Sequence, residues 1–138
     1  MTAETPAAAA APEPRSVRRT LASIVLGFET IVVFLAALVI WGLSRGEGGP
    51  FGLPEWAPLV GGGVLLLGLV LTLALLRYEW AYVLGWALQV IILLSGILNP
   101  AMYVVGVIFG GMWAYCMIVG ARIDRERAAA ADPGKEHE

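Results

Sequence analysis

The residue of this sequence best placed to do chemistry is Glu29, a carboxylic acid set inside the apolar run LASIVLGFETIVVFLAALVIWGL at residues 21–43. An ionisable group in such a run has two uses: it ties helices together by hydrogen bonding, or it holds a proton or small cation. Three other residues fall at a depth where they could join it. Glu29 lies eight residues past Leu21, ~12 Å along a helix, and Gln89 lies nine past Trp80, ~13 Å. Trp113 is again ~12 Å from the end of its own apolar run, counted back from Ala121, and Tyr115 is slightly shallower. Glu29, Gln89, Trp113 and Tyr115 therefore form the candidate polar site. Its plain version is a protonated Glu29 hydrogen-bonded to Gln89 or to a backbone carbonyl. Its functional version is a proton-coupled carrier.

The elements that must position these residues are helices. The run around Glu29 is flanked by Arg18 and Arg19 before it and Arg45 after it, and 23 residues at 1.5 Å each cross the ~30 Å of a bilayer core. A buried acid costs ~3 kcal/mol at a helix centre, but the run's 14 Leu, Ile, Val and Phe residues each return ~0.3–0.6 kcal/mol, so the helix inserts. Further apolar runs at 58–76, 80–98 and 101–121 read as three more spans. They are separated by the Gly/Pro-rich loop SRGEGGPFGLPEWA, the turn Arg77-Tyr78-Glu79 and the pair Asn99-Pro100. The expected fold is all-α, a four-helix transmembrane bundle occupying residues 17–127. An Ala/Pro-rich tail at 1–16 has little to bury and reads as disordered, and a polar tail is expected at 128–138. The fourth helix should run on through RIDRERAAAA, with Arg122 and Glu126 paired at i,i+4.

Orientation follows from the cations. With four spans, eight of the nine Lys and Arg residues fall on one side, which the positive-inside rule assigns to the cytoplasm together with both termini. The location expected is the plasma membrane.

Composition narrows the function classes. Of the 138 residues, 59% are hydrophobic and 14% charged, well below the ~25% charge of soluble domains. The net charge of −2 leaves no basic surface for nucleic acid. The single Cys116 lies in an apolar run and the lone His137 in the terminal tail, so neither a disulfide nor a metal site is indicated, and no cofactor is expected. No Ser/His/Asp set or phosphate loop points to an enzyme.

Helical periodicity separates the faces of each span. On the first, Ile24, Phe28, Ile31, Val32, Leu35, Leu38 and Val39 should meet lipid, while Ala22, Ser23, Gly27, Glu29, Thr30, Ala36 and Ala37 should meet other helices. Stripes through Gly61, Gly68 and Thr72, through Tyr82, Gly85, Gln89, Gly96 and Asn99, and through Tyr103, Gly106, Gly110, Trp113, Met117 and Gly120 do the same on the others. Gly27, Gly68, Gly85, Gly106, Gly110 and Ala114 are the expected close-packing positions, with Gly106 and Gly110 forming a GxxxG used within the bundle ahead of contacts between copies.

The segments ETIVV, RYEWAYVLGWALQV and NPAMYVVGVIFGGMWAY resemble those of a family of small four-span actinobacterial membrane proteins. That family is catalogued as a domain of unknown function and is commonly encoded beside folylpolyglutamate synthase. The resemblance covers residues 20–127 and implies a fold and a membrane location, with no activity to carry over. A looser analogy links Glu29 to the single acid in the first helix of the small multidrug transporters, but their other motifs are missing here. The first expectation is thus a structural or accessory membrane component, with the lipid bilayer and a homo-oligomer or membrane partner protein as its contacts. The alternative is a small proton-coupled carrier built on Glu29.

Overall fold

The computed structural model describes residues 15–46, 50–132 and 134, and among these the regular secondary structure is entirely helical. Four long helices follow in order: α1 (Val17–Leu43), α2 (Ala57–Leu75), α3 (Trp80–Ser95) and α4 (Ala101–Ala131). Residues 1–14, most of the expected N-terminal tail, lie outside the described residues.

Local chemistry accounts for the helix ends. Ser16 sits in extended backbone ahead of α1, and its Oγ accepts from the Arg19 amide at 3.3 Å, the usual N-cap geometry. Pro58 in the first turn of α2 loses no hydrogen bond, because the amides there have no intrahelical partner. Before α4, Asn99 accepts from the Ala101 amide through Oδ1 at 3.0 Å, and Pro100 supplies the fixed φ that begins a helix. In the first loop Gly46 has φ +104°, a conformation that side chains disfavour.

One boundary differs from expectation. The third apolar run stops being α-helical at Ser95 rather than Leu98. Gly96, Ile97 and Leu98 instead bond back three residues, to Leu93, Leu94 and Ser95. At 16 residues α3 is ~24 Å long, shorter than a bilayer core. The other three helices are long and apolar enough to span a membrane. At the other extreme, α4 carries helix through Ala131, the end of the RIDRERAAAA extension. Arg122 Nε donates to Glu126 Oε1 at 2.8 Å on this extension.

The helices form an up-and-down ring. α1 packs on α2 and α4, α3 packs on α4 and more loosely on α2, and α1 faces α3 across the diagonal. Ile24, Phe28, Ile31, Leu35, Leu38 and Val39 are exposed on the outer face of α1, as the periodicity predicts, and Val32 is half-buried. The inner face is bulkier than expected: Val25, Leu26 and Val33 are buried beside Ala22, Glu29 and Ala37. The hydroxyls of Ser23, Thr30 and Thr72 do not cross between helices. Each donates to a carbonyl on its own helix, at 2.8, 2.7 and 2.7 Å.

Of the expected close-packing positions, three are tight. A Cβ on Gly106 would stand 2.8 Å from the Leu93 Cα of α3, one on Gly68 would stand 3.0 Å from Leu88 Cδ2, and one on Gly85 would penetrate the Trp113 ring. Gly120, at the end of the α4 stripe, is tight as well: a Cβ there would lie 2.6 Å from the Arg18 Cα. Gly27 needs correction: nothing approaches it, because it sits at the margin between the packed and outer faces of α1. Gly110 has only the Gln89 amide oxygen at ordinary contact distance, and Ala114 is half-buried. Backbone contact in the GxxxG pair is therefore made at Gly106.

Candidate functional site

Glu29 and Gln89 meet across the diagonal of the bundle. The register of α1 brings Glu29 onto the same inner stripe as Val25 and Val33, and that of α3 places Gln89 one turn after Gly85. Gln89 Nε2 donates to Glu29 Oε2 at 2.7 Å, with Glu29 fully buried and Gln89 4% exposed. The amide oxygen of Gln89 lies beside Gly110 on α4, at ordinary contact distance from where a Cβ would stand. Trp113, one helical turn after Gly110, is fully buried with its indole against Gly85. α1, α3 and α4 thus each contribute one polar side chain to the interior.

This cluster is incompletely satisfied. Glu29 Oε1, Gln89 Oε1 and Trp113 Nε1 are buried without a hydrogen-bond partner among the described residues. The inventory is two open acceptors and one open donor, besides the second hydrogen of the Gln89 amide. Such a set can hold a proton on the carboxyl, or it can accept from a small donor-bearing group. Among the described residues, no three His, Cys, Asp or Glu side chains gather as metal ligands would.

Tyr115 does not belong to the cluster. It is 64% exposed, because two residues after Trp113 is ~200° around the helix and therefore on the outer face. An apolar groove of about 400 Å³ begins a turn beyond Glu29, at Val33 and Ala37, and runs towards Pro58, Gly62 and Met102.

A second polar cluster closes the opposite end of the bundle, and sequence reasoning did not anticipate it. Arg18 stacks 3.7 Å above the centroid of the Tyr82 ring, pairs with Glu79 at 3.3 Å, and directs Nε at Met117 Sδ, 3.4 Å away. Asp124, on the α4 extension, accepts from the amides of Val17 and Arg18 at 2.8 and 3.2 Å and from Ser16 Oγ. A carboxylate at these amides caps α1 and also meets the positive end of its dipole. The available signals were a Ser directly before an apolar run and an Arg–Glu–Tyr set at the ends of different spans. Only the fold shows that they converge.

Four apolar helices in one bundle, three of them long enough to cross a membrane, with an acid–amide pair in the interior, define a helical membrane protein. Within that class, the chain belongs to the family described as Protein of unknown function (DUF4233), which it matches over residues 19–129. No curated protein and no solved structure matches the chain.

Proposed function

We propose that the chain is a non-enzymatic structural or accessory component of the plasma membrane, crossing it four times with both termini in the cytoplasm. In this reading the Glu29–Gln89 pair is a polar tie, and the bilayer together with a second copy or a membrane partner protein is what the outer faces meet. The observation that carries it is the 2.7 Å hydrogen bond between α1 and α3, which joins by side chains two helices that lie across the bundle diagonal. The resemblance of the ETIVV, RYEWAYVLGWALQV and NPAMYVVGVIFGGMWAY segments supports an actinobacterial source and a gene beside folylpolyglutamate synthase as part of the same reading.

Orientation is supported by the cluster around Arg18, which gathers the start of α1, the α2–α3 turn and the end of α4 at one end of the bundle. That end holds most of the cations. Reporter fusions after Gly48 and after Asp132 are expected to read opposite compartments, with the second cytoplasmic. The same compartment for both would end the four-crossing topology.

The tie itself is tested at Glu29. Glu29→Leu orphans the Gln89 amide and is expected to cost about 1–2 kcal/mol in detergent unfolding, while Glu29→Gln keeps a hydrogen-bonding partner and costs less. Wild-type stability and oligomer size in Glu29→Leu would contradict a structural role.

The three unpartnered atoms at the cluster favour a second reading, a small proton-coupled carrier using Glu29, Gln89 and Trp113. Its outcome is different: liposomes holding the wild-type chain would move protons against a cation gradient, and Glu29→Gln would abolish that flux. Finding such a flux would replace the structural reading with the carrier.

A further inference from the structure

The basic end of the bundle carries a groove of about 600 Å³ between the start of α1 and the end of α2. We propose that it binds the headgroup of an anionic phospholipid. Arg15 and Arg19 line one part, Thr20 and Ser23 another, and Leu73 and Leu76 form the apolar floor. This proposal does not depend on the role of Glu29.

The arginines at this end divide by use. Arg18 is committed to Glu79 and Tyr82, whereas neither Arg15 nor Arg19 makes an ion pair among the described residues. Two free guanidinium groups at one groove suit a phosphodiester, which they can contact in a forked geometry. The α1 amides do not supply the attraction. Those of Val17 and Arg18 go to Asp124, that of Arg19 to Ser16 Oγ, and that of Thr20 to the Ser16 carbonyl. The hydroxyls of Thr20 and Ser23 donate to backbone carbonyls, which leaves their oxygens as acceptors for headgroup hydroxyls.

The floor identifies the source of the phosphate. Leu73 is half-buried and presents the apolar surface, while Leu76 beneath it belongs to the bundle core, and both precede the polar turn at Arg77. A hydrated free ion gains nothing from that wall, whereas the acyl chains below a headgroup continue along it. Cationic side chains above an apolar wall at the membrane boundary are the arrangement that recognises an anionic lipid.

The test uses the full chain in mixed micelles, with dioleoyl phosphatidylglycerol or dioleoyl phosphatidylcholine as probe and native mass spectrometry as readout. Phosphatidylglycerol is expected to bind more tightly. Arg15→Gln and Arg19→Gln should each weaken it about fivefold, and the pair roughly twentyfold or more. Arg15→Lys/Arg19→Lys keeps the charge but loses the forked contact, so its affinity should fall between wild type and the double Gln variant. Arg122→Gln, whose arginine pairs with Glu126 elsewhere, should leave binding unchanged. Wild-type affinity in the double Gln variant would overturn the proposal, as would an equal loss in Arg122→Gln. Competition by millimolar inorganic phosphate, with no effect of Leu73→Ser, would also overturn it, since the groove would then hold a free anion.

Discussion

Trp113→Ala is expected to be the most damaging single substitution in the bundle, costing about 3–5 kcal/mol. The indole is the largest fully buried side chain and fills the space between α3 and α4 opposite Gly85. Its removal leaves a cavity that neither helix can collapse into while Gly106 is already at backbone contact with Leu93. The chain carries its own reporter, because Cys116 is its single cysteine and is buried one turn from Trp113. Heating in the presence of a thiol-reactive fluorophore reads the exposure of that sulfur. The partner variant sharpens the result. Gly85→Ala drives a methyl into the indole and should cost about 1–3 kcal/mol on its own. In a Trp113→Leu background the methyl meets space instead, so the two effects should be non-additive by about 0.5–3 kcal/mol. Strict additivity would show that the ring and Gly85 are not in contact.

Gly106→Ala is the second large effect, at about 1–3 kcal/mol, and its cause is backbone rather than side chain. The new Cβ would stand 2.8 Å from the Leu93 Cα, an atom that no rotamer change can move, so α3 and α4 must separate. Gly27→Ala is the contrast: it meets open space, and it should be neutral or gain up to about 1 kcal/mol from helix propensity. Measuring both by Cys116 exposure separates steric loss from propensity. A Gly106→Ala chain that keeps its melting temperature but changes oligomer size would place the GxxxG face between copies, outside the bundle.

These effects frame the polar interior. An interhelical hydrogen bond in a membrane is worth on average ~0.6 kcal/mol, less than a well-packed aromatic ring. The Glu29–Gln89 bond therefore contributes less to how firmly the bundle holds than to which faces of α1 and α3 meet. Burying Glu29 against lipid or against Val25 alone would leave a carboxyl unsatisfied, so the register that offers Gln89 is favoured over its neighbours. The cluster around Arg18 acts in the same sense at the bundle's basic end. Its exposed Arg18–Glu79 pair adds little energy, but the Asp124 cap ties residue 17 to the far end of the chain.

The sequence by itself determined the helical class, the lipid face of α1, the turn residues and the matching depth of Glu29 and Gln89. Each of these follows from a rule that is local along the chain: hydropathy, the 3.6-residue period, the backbone limits of Gly and Pro, or the rise per residue. The tertiary structure alone decided the rest. Gly27 is open, because a wheel position near the margin of a face depends on where the neighbouring helix lies. α3 ends at Ser95, because a run of apolar residues does not show whether its last turn tightens. Arg18 turns inward to Tyr82 while Arg19 stays free, a difference of ~100° around one helix that acquires meaning only once α3 and α4 are in place. Contacts between residues a hundred positions apart, such as Asp124 with Val17, follow from packing and not from any local pattern.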